Sequence, residues 1–157
     1  MYSIGNEVAY PMHGAGVISK IENREVLGVT KSYYVLQMPY GSMQVLVPVD
    51  SADQVGLRPV VSEKEIPAVL KVLSADSTPM DDNWNRRIRE NADKLKTGEL
   101  ANVAEVIRNL TRVGRTKKLS SGEKKQLQSA MQILISEMIL ACKYTEGQAR
   151  QIIEEAI

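Results

Sequence analysis

Phenylalanine is absent from this chain of 157 residues, and histidine, cysteine and tryptophan occur once each. A single cysteine, Cys142, excludes an internal disulfide framework and a cysteine-rich zinc site. A single histidine, His13, excludes a histidine-cluster metal site and leaves His13 with Cys142 as the one nucleophile–base combination. His13 lies in a Pro-Met-His-Gly turn. Cys142 ends an apolar helical face, where free cysteine is ordinarily a small buried hydrophobe. Gly14-Ala15-Gly16 is too short for a phosphate-cradling loop and leads into a strand rather than a helix. No run approaches the roughly 18 apolar residues of a membrane helix. Met1 to Glu7 has neither the basic start nor the apolar centre of a secretory signal. These absences lead us to expect a reduced, cytoplasmic protein off the membrane, with no catalytic residue, metal, cofactor or small-molecule substrate.

Hydrophobic residues make up 43% and charged residues 25%, as in globular domains. The net charge of +1 hides an asymmetry. Residues 1–83 carry six basic and ten acidic groups, residues 84–157 fourteen basic and nine acidic. Arg86 to Lys118 is the most basic stretch. A polyanionic partner for the second half is one reading of this, and a solvated helical face is the other.

Residues 1–58 read as short strands. Ile4 to Tyr10 is bounded by Gly5 and Pro11, and Gly16 to Glu22 alternates apolar and polar residues. Tyr33 to Met38 and Met43 to Val49 are rich in β-branched and aromatic residues, with Pro39-Tyr40-Gly41-Ser42 as the turn between them. Leu27 to Thr30 supplies another turn. Four such strands predict a small, strongly bent antiparallel sheet or SH3-like barrel. Pro48 cannot donate to a ladder and belongs on an edge or at a strand end. That edge is either open to a partner's strand or simply blunted by proline.

From Ser62 the period becomes helical. Ser62 with Glu65, Ser120 with Glu123 and Thr145 with Gln148 form three capping boxes. A helix from Asp81 or Asp82 runs through Trp84, Ile88, Ala92 and Leu95 and closes at Gly98. The helix after it buries Leu100, Val103, Ala104, Ile107 and Leu110, and the next Ala130, Met131, Leu134, Ile135 and Met138. Ile152 and Ile153 anchor the last. The expected fold is therefore α+β: a small N-terminal β domain, then a compact bundle of about five helices over residues 62–157.

Trp84 stands at the head of its helix, with Arg86, Arg87 and Arg89 within five residues. Two readings stay open. Its spacing with Ile88, Ala92 and Leu95 suits a core tryptophan. Its arginines and a helix N-terminus suit a phosphate clamp beside a flat aromatic that wedges at a base step or stacks on a base.

Five segments, in this order, carry a resemblance: Tyr10-Pro11-Met12-His13-Gly14-Ala15-Gly16, Val47-Pro48-Val49, Val55-Gly56-Leu57-Arg58, Trp84-Asn85-Arg86-Arg87 and Leu119-Ser120-Ser121-Gly122-Glu123-Lys124. Over essentially the whole chain they resemble the CarD/CdnL family of bacterial RNA polymerase-binding transcription regulators. The resemblance implies a Tudor-like polymerase-interacting domain over residues 1–58, shared with transcription-repair coupling factors, and a helical DNA-binding domain over residues 62–157. Its partners would be the β1 lobe of the RNA polymerase β subunit and promoter DNA. The family is not enzymatic, and a tryptophan wedged at the upstream edge of the transcription bubble stabilises the open complex. That position matches Trp84, with phosphate-contacting neighbours at Arg86, Arg87 and Arg89. On the polymerase side a basic residue matches Arg24, while a second position, basic in some members, is Leu46 here. The strand ending at Pro48 is the edge that β-addition would use. An RNA-binding or ribosome-associated factor with an SH3-like module and a basic helical domain is the alternative.

Overall fold

The computed structural model describes residues 1–39 and 43–157. Five strands come first: β1 (Glu7–Tyr10), β2 (Gly14–Val26), β3 (Val29–Gln37), β4 (Gln44–Pro48) and β5 (Arg58–Pro59). They form one antiparallel sheet in the order β4-β3-β2-β1-β5. The predicted β3–β4 hairpin is present, and residues 40–42 of its expected turn lie outside the described residues. Leu27 and Gly28 both take positive φ, 52° and 76°, forming the two-residue turn between β2 and β3. β1 starts at Glu7 rather than Ile4, and β2 and β3 run longer than the sequence alternation indicates.

β5 is an addition to the sequence reading. Its two residues pair with Val8 and Ala9 of β1. So short a strand has no period of its own and is specified only by its neighbour. Val8, Ile18, Tyr34, Leu36, Val47 and Leu57 pack the sheet's core. β4 pairs with β3 and forms one edge.

The helices follow: α1 (Ile66–Ser74), α2 (Trp84–Lys96), α3 (Leu100–Thr116), α4 (Ser121–Cys142) and α5 (Glu146–Ala156). All three capping boxes form as read. The first opens a single 3-10 turn, Glu63–Glu65, that leads into α1. The predicted apolar face of α3 is buried throughout, as are Ala130 to Met138 at their predicted positions on α4. Ile153 is buried, whereas Ile152 packs at the margin. Among the described residues no helix is long and apolar enough to cross a membrane.

The sheet sits directly on the bundle. The Ala15 amide donates to Ser136 Oγ at 2.8 Å in a buried contact between β2 and α4. A Cβ on Gly14 would lie 2.6 Å from that same oxygen, so β2 approaches α4 closely only because this residue has no side chain. Arg58 on β5 forms a two-pronged ion pair with Glu137 of α4, at 2.7 and 2.9 Å, and Glu137 also accepts from the Val61 amide at 2.9 Å.

The linker between α1 and α2 is fastened to α3. Arg112 donates to the carbonyls of Ala75 and Leu73 and to Ser77 Oγ. Arg108, 3% exposed, donates to the Val72 carbonyl and to Asn109 Oδ1. Both guanidiniums thus serve the carbonyl-rich end of α1. Two of the cations counted in the basic stretch are therefore spent inside the protein.

Candidate nucleic-acid interface

α2 begins at Trp84, two to three residues later than the aspartates suggest. Asn83 is its cap, accepting from the amides of Asn85 and Arg86 at 3.0 and 3.3 Å. Asp81 accepts from the Asn83 amide at 2.8 Å, so it orders the approach to the helix rather than starting it. Two amides of the first turn, those of Asn85 and Arg86, are thus taken up by Asn83 rather than left for a phosphate.

Trp84 is 51% exposed, which decides against the core reading. The geometry explains why both readings could be drawn. At about 100° per residue, Trp84, Ile88, Asn91 and Leu95 share one face of α2. Asn91 and Leu95 are buried along it, and Ile88 is half-buried. Trp84 continues the same stripe one turn before Arg87 and Ile88, which meet the first turn of α4. It overhangs an open groove in which Lys117, Lys118, Lys124 and Arg87 stand beside Asp82 and the buried Glu123.

The three neighbouring arginines have different fates. Arg86 is exposed, with a loose 3.8 Å contact to Asp81, and Arg89 is exposed. Both lie about 140–200° around the helix from Trp84, on the opposite side of α2. Arg87 is turned inward. Its Nε and Nη2 donate to Glu123 at 2.6 and 2.8 Å, and its Nη1 donates to the Asp81 carbonyl at 3.2 Å. Glu123 is 1% exposed and also accepts from Ser120 Oγ at 3.1 Å. The Arg87 hydrogen bonds hold the Glu123 carboxyl below the usual carboxylate range, and the same bonds raise the Arg87 guanidinium. Nε, Nη1 and Nη2 of Arg87 each donate within the protein, so this arginine ties α2 to α4 while it also lines the groove under Trp84.

Sequence reasoning places Lys117 and Lys118 only in a general basic stretch and does not single out Lys124. All three are exposed and share the groove with Trp84. The available signal was the capping box at Ser120, since the residues before and just inside a helix start cluster at one end of the bundle.

The three residues expected on the polymerase side fall together by register. Arg24 stands opposite Lys31, Pro48 opposite Tyr33 and Leu46 opposite Val35. Directly opposed residues share a face, as do positions two apart along β3. Arg24, Leu46 and Pro48 therefore occupy one face, opposite to the one where Tyr34, Leu36 and Val47 enter the core. Arg24 is exposed and ion-paired to Glu22, whose carboxyl its hydrogen bond holds low. Leu46 and Pro48 are half-buried on the edge strand.

His13 stacks on Tyr10, with ring centroids 4.4 Å apart. Burial pushes the Cys142 thiol up, the opposite of what an activated nucleophile needs.

Residues 2–61 match the CarD-like/TRCF RID domain, and residues 68–154 match the CarD C-terminal domain. This chain belongs to the CarD family. A similar protein, "Putative transcription factor YdeB" of Bacillus subtilis (strain 168), is 36% identical over 150 residues, covering 96% of this chain and 98% of the relative. The CarD-family domain pattern coincides with the architecture above: an antiparallel Tudor-like sheet followed by five helices. As a CarD-like chain the protein falls in a family of transcription factors.

Proposed function

We propose that this CarD-like chain binds the RNA polymerase β subunit through Arg24, Leu46 and Pro48 at the β4 side of its sheet and stabilises promoter open complexes by wedging Trp84 at the upstream edge of the bubble. The observation that carries the reading is Trp84 itself. The one tryptophan of the chain stands half out of the protein, over a groove that carries Lys117, Lys118 and Lys124, with Arg86 and Arg89 exposed on the other side of the same helix. Leaving so large an apolar side chain exposed forgoes stabilisation of about 1.5–3 kcal/mol, the usual value for burying a large apolar residue. A ligand's apolar surface would recover it.

The sheet supports the polymerase assignment through its match to the RID domain and through the shared face of Arg24, Leu46 and Pro48. β1-lobe pairing would extend the sheet beyond β4. On the DNA side, lysines and arginines supply sequence-independent phosphate attraction. Trp84 supplies discrimination, because an aromatic wedge fits unstacked bases and clashes with intact duplex. Stabilisation comes from that difference alone. About 1.4 kcal/mol in favour of melted DNA shifts the closed–open equilibrium tenfold.

The test compares fold with function in Trp84→Ala. Truncating a core tryptophan costs about 3–5 kcal/mol, and this half-exposed one costs far less. The variant should melt near the wild-type temperature, retain polymerase binding and lose most of the gain in open-complex lifetime. An unaltered lifetime, or a collapse of thermal stability, overturns the assignment. Capture of ribosomal material in place of polymerase would favour the RNA-binding alternative.

A further inference from the structure

Resting on this reading of Trp84, we propose that two buried arginine–glutamate clamps fasten both ends of α2 to α4, making Arg58, Glu137, Arg87 and Glu123 positioning residues. They fix where Trp84 stands relative to the polymerase-binding sheet and contact neither partner.

Glu123 and Glu137 are fourteen residues apart on α4. That is about 21 Å and nearly four whole turns, so both carboxylates point from almost the same side of one helix. Arg87, in the first turn of α2, is forked onto Glu123. At the other end, Arg58 is forked onto Glu137, and its Nη2 donates also to the carbonyl of Gly98, the residue that closes α2, at 2.7 Å. One guanidinium therefore joins β5, the end of α2 and the middle of α4. Between the clamps, Gln126 of α4 donates to the Ile88 carbonyl at 2.9 Å. A second contact from the sheet reaches the same end of α2. Pro11 lies so close to Gly98 that a Cβ there would come within 2.9 Å of its ring.

The two carboxylates are each 1% exposed, on a helix that is itself largely buried. Apolar packing would serve stability as well, since a buried ion pair is weak evidence for stability by itself. A forked guanidinium–carboxylate pair adds something packing does not, a fixed relative orientation. The wedge benefits directly. Polymerase binding presents Trp84 to the DNA at a high effective concentration only if the geometry lets both sites engage together. A misplacement of about 1 Å can cost as much as 100-fold where orientation decides the outcome.

The test uses the full chain in a Cys142→Ser background, spin-labelled at Gln54→Cys on the sheet half and Glu90→Cys on α2, both exposed positions. Arg58→Ala combined with Glu137→Gln removes both charges, so no buried charge is stranded. The double variant should fold, and should bind an isolated β-subunit fragment and pre-melted promoter DNA as the wild type does. Its label-to-label distance distribution should broaden at least twofold, and its gain in open-complex lifetime should fall roughly tenfold. Arg58→Lys, which keeps the charge but loses the fork, should fall between, and carries the same test if the double variant does not fold. An unchanged distribution overturns the clamp. A broadened distribution with a wild-type lifetime overturns its positioning role. If the wild-type chain itself does not lengthen open-complex lifetime, the Trp84 reading fails, while the width of the distribution still decides whether these pairs hold α2.

Discussion

Arg87 and Arg89 stand two positions apart on α2 and meet opposite surroundings, one a buried carboxylate and the other solvent. Arg87→Ala strands Glu123, and breaking a buried pair costs about 3–5 kcal/mol. Arg89→Ala should change stability by no more than about 0.5 kcal/mol. It should instead weaken DNA binding and reduce the salt slope by about 1, as the loss of one phosphate contact does. Thermal melts and a salt titration of DNA affinity check the pair. A stable Arg87→Ala protein with weakened DNA binding would return Arg87 to the surface. Glu123 adds a pH dependence. Its carboxyl is held low in the fold, so its contribution is complete above the ordinary carboxylate pKa of about 4.3 and is lost as the pH falls through the depressed value. Wild type should therefore lose stability on acidification more steeply than Glu123→Gln, in melts followed from neutrality into acid. The Arg87 pairing was illegible because its partner lies 36 residues away on another helix, and spacing along α2 carries no record of it.

At the scale of elements, what was legible is what is local. The boxes at Ser62, Ser120 and Thr145 each close within four residues, and each forms as read. The apolar stripes of α3 and α4 follow helical spacing and are buried accordingly. The elements missed or shifted are settled by tertiary contacts. β5 exists only through β1, and the start of α2 moves to Trp84 because Asp81 accepts from the Asn83 amide and Asn83 accepts from the amides of Asn85 and Arg86. Trp84 shows the same limit: its face was legible, but the sequence does not say where the bundle ends. The cap can be tested alone. Asn83→Ala should cost about 1 kcal/mol in urea denaturation by unpairing the amides of Asn85 and Arg86. It should also reduce the effect on open complexes, since the frayed turn is the one that carries Trp84. An Asn83→Ala protein with full activity would show that the cap serves only the fold.

On the scale of the whole molecule, residues 1–58 and 62–157 divide the proposed binding tasks without dividing the fold cleanly. Glu137 belongs to the second segment, while its partner Arg58 belongs to the first. An isolated fragment of residues 62–157 should melt below the full chain, and Glu137→Gln should narrow the gap by neutralising a stranded charge. Equal melting of fragment and full chain would show that the contact adds nothing to stability. The sheet has the reverse situation at its far end. From Lys20 onward β2 pairs only with β3, and Val29 to Ser32 pair only with β2, so the hairpin projects as a lone two-stranded ribbon. Such a ribbon is marginal by itself. Arg24 and Lys31 oppose like charges across it, and Leu27 at its tip is 98% exposed with positive φ. Its backbone amides should exchange with deuterated solvent orders of magnitude faster than those at the centre of α4, because the ribbon opens without the rest of the protein unfolding. A partner that seizes Arg24 would freeze these openings. Slowed exchange confined to residues 20–32 would then report the complex from this side alone, and part of the binding energy would go into ordering a segment the free protein leaves loose.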